Sequence, residues 1–237
     1  MNRVRVGIVG SRFAARIHVD GYKRCPEAEV VAVASPNVDH VRSFIAEHNI
    51  PQCYTDYREM FRKADIDLVS VCVPNYLHRD VTISAAEAGK HVICEKPLAT
   101  SLRDAGEMVE VCEKNGVKLM YAEDWLFSPM LTRAKEICQE GAVGQVLYLK
   151  AKETHSGSHS IFAKRLNYCG GGAMIHLGIH PIGFARWFKQ KEVVGVSARV
   201  SGGGKLTCSI PISKVRTGGR LSLPLRTVVF ASLRPIT

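Results

Sequence analysis

The first half of the chain alternates short apolar runs with amphipathic stretches. Apolar runs predict six strands, at residues 3–9, 29–34, 53–54, 66–73, 91–94 and 117–121. Segments with helical spacing separate them, at residues 10–23, 38–48, 56–63, 78–89 and 101–115. Continuous apolar runs that alternate with helices are typical of a parallel sheet covered on both faces. The pattern predicts an α/β fold, a Rossmann doubly wound parallel sheet, over residues 1–124.

The pattern changes after residue 124. A helix is predicted at 130–140, and residues 146–153 alternate like a strand of an antiparallel sheet. A glycine-rich turn at 170–172 opens a predicted helix that continues to residue 188, and residues 193–200 predict another strand. We therefore expect a second, incomplete α+β domain over residues 125–200.

Residues 201–237 differ from the rest of the chain in charge. They contain six Lys and Arg residues and no Asp or Glu, so they carry six of the ten net positive charges. A basic arm that binds phosphate is one interpretation. A segment outside the folded design is favoured, because aromatic side chains on which bases could stack are scarce. We expect an atypical basic tail and no nucleic-acid partner.

Cysteine spacing and hydropathy indicate the compartment. The eight cysteines include no C-x-x-C pair, which favours reduced thiols over a disulfide framework. No apolar run reaches the roughly 18 residues that span a bilayer, and the first ten residues lack the pattern of a secretory signal. A cytoplasmic protein without a membrane partner is expected.

The turn after the first predicted strand has part of a dinucleotide-binding pattern. In a G-x-G-x-x-G/A turn, glycines allow a tight bend and close approach to a pyrophosphate, and the third small residue lets helix and strand pack. Gly10 and Ala15 hold the first and third places, but Arg12 holds the second. We expect the Arg12 guanidinium to contact the diphosphate. Gly10, Arg12, Phe13 and Ala15 are candidate cofactor-binding residues, and an ordinary strand–helix turn is the alternative.

The end of the second predicted strand bears on cofactor choice. An acid there would bind the adenosine ribose and favour NAD. The chain has Ser35 in an Ala-Ser-Pro-Asn run instead, and Arg42 lies farther along the next helix. The missing carboxylate leaves NAD and NADP open and slightly favours NADP.

Two further motifs follow the fourth and fifth predicted strands. Pro74, Asn75 and His78 belong to a V-P-N-x-x-H run, and Glu95 and Lys96 belong to a C-E-K-P run. Open α/β sheets bind ligands at the carboxyl ends of their strands, so all five are candidate cofactor-binding residues. A lysine in such a cleft can stabilise a developing alkoxide, which makes Lys96 a catalytic candidate.

Histidines mark the predicted second domain. His176 and His180 follow the glycine-rich turn at i and i+4, which would place them on one helix face. Proton transfer is the favoured interpretation, which makes both His176 and His180 catalytic candidates. Core histidines are an alternative, as is a zinc site that would add His155 and His159. No metal is expected.

Together these motifs resemble the Gfo/Idh/MocA family of NAD(P)-dependent oxidoreductases, which act mainly on sugars, cyclitols and polyols. The resemblance covers residues 3–200 approximately and is carried mainly by E-K-P at 95–97 and the stretch ending at His180. It implies that Lys96 is catalytic and that His180 accepts the proton of a substrate hydroxyl. It implies NAD or NADP as cofactor, a polyol or sugar as substrate, and homo-oligomers among full-length relatives. His176, Asp124, Trp125 and His155 are expected on the substrate side.

The chain departs from the family pattern at three places. Arg12 replaces a glycine, and His176 replaces the aspartate of the D-x-x-x-H helix. Family likeness and carboxylates both stop near residue 200, which suggests a frameshifted or prematurely ended reading frame. Another frame of the coding DNA is then expected to resume a sequence that contains Asp and Glu.

Three functional hypotheses follow. The first is hydride transfer between NAD(P) and a secondary hydroxyl of a sugar, cyclitol or related polyol. The second is a non-catalytic, dinucleotide-binding regulatory protein, which Arg12 and His176 favour. The third is a metal-dependent lyase or hydrolase.

Overall fold

The computed structural model describes residues 3–153, 160, 162, 166–170, 173–191, 193, 197–200 and 208–211. Backbone packing divides the chain into two compact units, and the division falls between Ala122 and Glu123. It lies close to the boundary at residue 124 that the sequence predicts. The first unit is the sheet-forming half, and the second begins with the acidic pair Glu123 and Asp124.

Six strands and five α-helices alternate in the first unit, as the apolar pattern predicts. The strands are β1 (Val4–Val9), β2 (Ala28–Ala34), β3 (Gln52–Tyr54), β4 (Leu68–Val71), β5 (His91–Glu95) and β6 (Leu119–Ala122). The helices are α1 (Phe13–Lys23), α2 (Val38–His48), α3 (Tyr57–Lys63), α4 (His78–Glu87) and α5 (Leu102–Lys114). A 3-10 helix, Asn75–Leu77, precedes α4. Among the described residues, no helix combines the length and apolar character that crossing a membrane requires.

The six strands form one sheet in the order β3-β2-β1-β4-β5-β6, and every neighbouring pair is parallel. This is the strand order of a doubly wound dinucleotide-binding sheet, so the predicted fold class is confirmed. Val9 at the end of β1 pairs with Ala34 of β2 and Val71 of β4, and Val71 pairs with Cys94 of β5. The register therefore brings the residues that follow these strands to one edge of the sheet.

Apolar side chains cover both faces of this sheet. Val6 and Ile8 of β1 pack on one face with α1 and α2, whereas Ala34 and Val71 pack on the other with α3 and α4. Successive strand residues point to opposite faces, so a strand buried on both sides must be apolar at every position. This burial explains the continuous apolar runs in the sequence.

The second unit contains four α-helices and two strands among its described residues. A 3-10 helix (Asp124–Phe127) is followed by α6 (Pro129–Gln139), α7 (Leu166–Cys169), α8 (Ala173–His176) and α9 (Ile179–Lys189). Strands β7 (Ser197–Val200) and β8 (Cys208–Pro211) pair antiparallel. Strand β8 lies inside the segment 201–237 that the sequence assigns to a tail, so these four residues belong to a ladder.

The strand predicted at 146–153 is wrong, because the structure assigns no strand to these residues. A strand needs a ladder partner, and alternation in the sequence cannot supply one. Among the described contacts, the Lys189 amine donates a hydrogen bond to the carbonyl of Val146. At Val146, the backbone carbonyl thus accepts a hydrogen bond from a side chain and not from a neighbouring strand.

The single helix predicted from the glycine-rich turn to residue 188 is also wrong, because it is interrupted at Leu177 and Gly178. The His180 amide donates to the carbonyl of Leu177, 3.2 Å away, so the turn is tighter than an α-turn. His176 ends α8, and His180 lies in the first turn of α9. The two histidines therefore do not sit at i and i+4 of one helix.

Candidate functional site

A tight turn at Gly10 follows β1 at the edge of the sheet where the parallel strands end. We call this the ligand-binding edge, because open α/β sheets bind ligands there. Its φ of +122° lies in a region that side chains rarely adopt, and a Cβ there would lie 2.2 Å from the carbonyl oxygen of Cys72. The Gly10 amide donates to the carbonyl of Ala34 at 2.8 Å. The turn therefore fits between β2 and the end of β4 only because residue 10 is glycine.

The N-terminus of α1 lacks a capping side chain, as does that of α4. Arg12 is the N-cap residue and makes no side-chain capping hydrogen bond, and the first turn carries no acid. Helices α2, α3 and α5 are capped by the side chains of Asn37, Asp56 and Ser101. The amides of the first turn of α1 are thus not used by a capping side chain, and such amides bind anions.

The other two candidate cofactor-binding residues of this turn, Phe13 and Ala15, differ in exposure. Phe13 is about half exposed, whereas Ala15 is fully buried in the core between α1 and the sheet. The small side chain of Ala15 allows the helix to pack closely on the strands, and a contact between Ala15 and a cofactor stays a prediction.

Ser35, at the end of β2, lies beside the same turn. The hydroxyl of Ser11 donates to the hydroxyl of Ser35 at 3.0 Å, and the Ser35 amide donates to the carbonyl of Tyr54. No carboxylate occupies the position of Ser35, as the sequence indicates. A hydrogen bond thus joins the first turn to the end of β2, where doubly wound sheets commonly bind the adenosine ribose.

His78 is fully buried and links two loops at this edge. Its Nε2 lies 3.0 Å from the carbonyl oxygen of Val73, and its Nδ1 lies 2.8 Å from that of Pro97. Burial lowers the pKa of His78, although both carbonyls oppose that change. The ring has no exposed surface, and its two contacts hold the loop of Pro74 and Asn75 against the loop of Lys96. A contact between His78 and a cofactor stays a prediction.

Glu95 precedes Lys96 and uses both carboxylate oxygens inside the protein. One oxygen lies 3.0 Å from Nε2 of His18, and the other accepts from the Lys96 amide at 3.0 Å. Burial alone would raise the pKa of Glu95, but His18 and the Lys96 amide and ammonium together hold it below its usual range. Glu95 therefore fixes the backbone of half-buried Lys96.

His18 connects this loop to α1. Its Nδ1 lies 3.2 Å from the hydroxyl of Ser70, which also contacts the Tyr22 hydroxyl at 2.7 Å. Burial raises the pKa of Tyr22 to about 12. The sequence analysis missed His18, although its place on the buried face of α1, between Ala15 and Tyr22, is a signal that its ring needs a partner.

The second unit holds a buried acid–imidazole pair. Nδ1 of His180 lies 2.5 Å from Oε1 of Glu123, and the side chains are 5% and 1% exposed. The second carboxylate oxygen of Glu123 is buried and has no hydrogen-bond partner among the described residues. The sequence analysis missed Glu123, although a carboxylate directly after the last strand of a parallel sheet is a usable signal.

Other candidate residues lie around this pair. The ring of Trp125 stacks on that of His180 at 5.8 Å between centroids and 16° between planes. An Asp124 oxygen lies 3.4 Å from Nδ1 of His180, but the Asp124 side chain is 81% exposed. Nε2 of His180 lies 3.9 Å from a carboxylate oxygen of Glu153. The predicted residues Asp124, Trp125 and His180 are therefore brought together.

The four-histidine metal site that the sequence leaves open cannot be assembled from the described residues. His155 and His159 lie outside them, and half-buried His176 ends α8. A different set, Glu123, Asp124 and His180, offers ligand atoms within 4.8 Å of one another. The short contact between His180 and Glu123 is that of a hydrogen bond. That geometry favours a proton between nitrogen and oxygen over a cation.

Comparison with known protein families accounts for both units. Residues 4–123 match the model of the Gfo/Idh/MocA oxidoreductase family with an NAD-binding Rossmann fold. Residues 131–208 match the model of a Gfo/Idh/MocA C-terminal domain. The second match continues past residue 200, so the likeness extends farther than the sequence analysis predicts.

Individual relatives agree with these matches. The chain is 30% identical to levoglucosan dehydrogenase of Pseudarthrobacter phenanthrenivorans, over 92% of this chain and 58% of the relative. It is 27% identical to myo-inositol 2-dehydrogenase of Thermotoga maritima, over 82% of this chain and 58% of the relative. The crystal structure of aldose-aldose oxidoreductase from Caulobacter crescentus matches with a TM-score of 0.75 and 25% identity, over 90% of this chain and 68% of that one. The chain spans less than two thirds of the length of these curated relatives. It belongs to the Gfo/Idh/MocA oxidoreductase family, whose N-terminal domain is an NAD-binding Rossmann fold.

Proposed function

We propose that this chain transfers a hydride between NAD(P) and a secondary hydroxyl of a sugar, cyclitol or related polyol. The observation that carries the proposal is the edge of the sheet. There the glycine turn after β1 and half-buried Lys96 after β5 follow strands that are in register. A phosphate-binding turn and a cationic side chain at one sheet edge suit a dinucleotide and an oxygen substrate.

The residues of this edge fit the cofactor of the family. Gly10 allows the tight turn, and the first-turn amides of α1 can donate hydrogen bonds to the diphosphate beside exposed Arg12 and Phe13. Ser35 is proposed to lie beside the adenosine ribose, whose 2′ group distinguishes NAD from NADP. Because serine has no carboxylate, it does not repel a 2′-phosphate. Pro74, Asn75 and Lys96 line the loops that complete the edge. When bound, the nicotinamide supplies the hydride acceptor or donor.

The proposed proton chemistry uses two side chains. His180 accepts the hydroxyl proton of the substrate during oxidation and returns it during reduction. Lys96 stabilises the negative charge that develops on the substrate oxygen. Trp125, Asp124, His176 and His155 are proposed to contact the substrate.

The names of the relatives support the proposed substrate class. Levoglucosan dehydrogenase, myo-inositol 2-dehydrogenase and 1,5-anhydro-D-fructose reductase all act on cyclic polyols or anhydrosugars. A panel of levoglucosan, myo-inositol and 1,5-anhydro-D-fructose therefore covers the proposed chemistry.

The test combines this panel with substitution of the two proposed catalytic residues. We expect turnover of at least one compound, and a fall in kcat/KM of about 10²-fold or more in both Lys96→Ala and His180→Ala. Lys114→Ala removes an exposed lysine of α5 and controls for the loss of charge. NADH and NADPH affinities are measured by fluorescence on each protein. Equal turnover in wild type and both variants would contradict the proposed roles.

The same measurements address the alternative of a non-catalytic dinucleotide-binding protein. Arg12 and His176, which depart from the family pattern, are what favour it. Tight NADH or NADPH binding without turnover of any panel compound would support this alternative.

A further inference from the structure

We propose that Glu123 is a positioning residue that fixes the tautomer and orientation of His180. Neither the sequence motifs nor the comparisons assign a role to Glu123. The inference rests on the proposed function in one respect, because it takes His180 as the group that exchanges a proton with substrate.

The hydrogen bond decides the tautomer. An ionised carboxylate only accepts hydrogen bonds, so the 2.5 Å contact places a proton on Nδ1 of His180, directed at Oε1 of Glu123. Neutral imidazole then has its lone pair on Nε2. That nitrogen lies 3.9 Å from the nearest described carboxylate oxygen, on Glu153, which is beyond hydrogen-bond distance. Nε2 is therefore the ring atom that accepts a substrate proton.

The carboxylate also balances charge. When Nε2 takes the hydroxyl proton, the ring becomes an imidazolium cation, and the Nδ1 proton stays between the ring and Glu123. Glu123 and His180 are both almost fully buried, so water screens their attraction little. The carboxylate thus lies next to the positive charge that the reaction produces on the ring.

The surroundings fix the ring in position. Trp125 stacks nearly parallel on one face of His180, and the Trp125 amide donates weakly to Oε1 of Glu123 at 3.4 Å. A Cβ added to Gly183 of α9 would lie 3.5 Å from Cγ of Glu123, so the glutamate stem packs directly against that helix. The imidazole is held at its edge by the carboxylate and at its face by the indole.

The two carboxylate oxygens of Glu123 differ in their contacts, because His180 and the Trp125 amide both contact Oε1. Its second oxygen is buried and has no hydrogen-bond partner among the described residues. A buried carboxylate oxygen without a partner is costly, and such groups cluster at functional sites. Asp124 cannot replace Glu123, because its exposed carboxylate lies 3.4 Å from Nδ1 and is screened by water.

The first test reads the tautomer without any enzymatic activity. Protein labelled with 15N-histidine is examined by NMR, and His180 is assigned by its loss in His180→Ala. We expect wild type to show a proton on Nδ1 of His180, with a far-downfield resonance, and Glu123→Gln to lose that resonance. A wild-type His180 protonated on Nε2 alone would overturn the proposal, as would a ring bound to a metal ion.

The second test reads catalysis. With a panel compound that the wild type turns over, Glu123→Gln should lower kcat by about 10²-fold while NADH affinity and KM change little. Glu136→Gln makes the same chemical change at an exposed carboxylate of α6 and should retain activity. If Glu123 acts through His180, then Glu123→Gln has no further effect on kcat in the His180→Ala background. Equal additive losses in both backgrounds would overturn the proposal.

The two tests separate this inference from the proposed function. Absence of turnover by wild type contradicts the proposed function, whereas the tautomer of His180 is measured either way. If Asp124→Asn abolishes the downfield resonance and Glu123→Gln does not, the positioning role of Glu123 is wrong.

Discussion

Individual residues set the geometry of the ligand-binding edge in the first unit. Gly10 is the clearest case, because its backbone conformation and its contact with the Cys72 carbonyl both exclude a side chain. The 2.2 Å approach is to backbone, which cannot rotate away as a flexible side chain could. The Cys72 amide also donates to the carbonyl of Val9, so the turn and the end of β4 are hydrogen-bonded together.

Substitution of Gly10 by alanine should therefore destabilise the protein strongly. We expect a loss of about 3 kcal/mol or more in the free energy of unfolding, from overpacking added to backbone strain. Gly89→Ala is the matched control, because Gly89 also has positive φ but a Cβ there meets nothing within 4 Å. That control should cost only about 1–2 kcal/mol. Urea denaturation measures both, and equal losses would show that the contact with Cys72 is unimportant.

At the scale of elements, the N-termini of the helices differ in whether a side chain caps them. Ser101 accepts from the Asp104 amide at 3.1 Å and caps α5, and Asn37 caps α2 in the same way at 2.9 Å. Such caps satisfy the first-turn amides and can be read from sequence. Helix α1 has Arg12 at its N-cap instead, where the guanidinium and the positive end of the helix dipole together favour an anion.

The proposed role of Arg12 is tested by Arg12→Gly. This change restores the family's glycine but removes the guanidinium, so we expect NADH and NADPH to bind about 10-fold more weakly. Arg24→Gly removes an exposed arginine at the opposite end of α1 and controls for net charge. Fluorescence titration measures all affinities. Unchanged or tighter binding in Arg12→Gly would show that Arg12 does not contact the diphosphate.

At the scale of the whole molecule, an ion pair between residues far apart in sequence connects two neighbouring strands of the first unit. The carboxylate of Asp67, just before β4, accepts from the Arg5 amide at 2.9 Å and from its guanidinium at 2.7 and 3.0 Å. These bonds to Arg5 lower the pKa of Asp67 to about 2. Asp67 thus links the start of β4 to β1 across 62 residues of chain.

This link should make stability depend on pH. The pKa of Asp67 is about 2 in the folded protein and close to 3.8 when unfolded, so the folded state binds fewer protons between these values. Its contribution is present in full above about pH 4 and is lost as the pH falls towards 2. Because the side chain is 40% exposed, we expect only about 1 kcal/mol after solvent screening.

Asp67→Asn should lower stability near neutral pH and flatten the slope of unfolding free energy between about pH 4 and pH 2. Urea denaturation at a series of pH values measures this, and Asp20→Asn, at an exposed position of α1, is the control. An unchanged acid slope in Asp67→Asn would show that Arg5 and Asp67 do not stabilise the fold.

Local pattern determined most of the first unit. Because the sheet is buried on both faces, each of its strands is a continuous apolar run in the sequence. Capping residues and glycines mark the ends of the helices. These strands and helices can therefore be predicted from residues that are close together in the sequence. The predicted strand at 146–153 failed because a ladder partner lies elsewhere in the chain, and the unbroken helix to residue 188 failed because the chain makes a tight turn at Gly178 that its helical spacing does not indicate. The sequence places Ala15 and His78 next to the ends of strands, but only the structure showed that both side chains are fully buried.

The tertiary structure alone decided how the reactive groups are partnered. Glu123 meets His180 across 57 residues, and His18 meets Glu95 across 77. No spacing rule connects positions so far apart, because each pair forms only when separate elements pack and exclude water from between them. The sequence by itself determined the strand–helix order and the residue types that chemistry needs. Packing determined which carboxylate stands beside which imidazole, because hydrogen bonds require contact within about 3 Å.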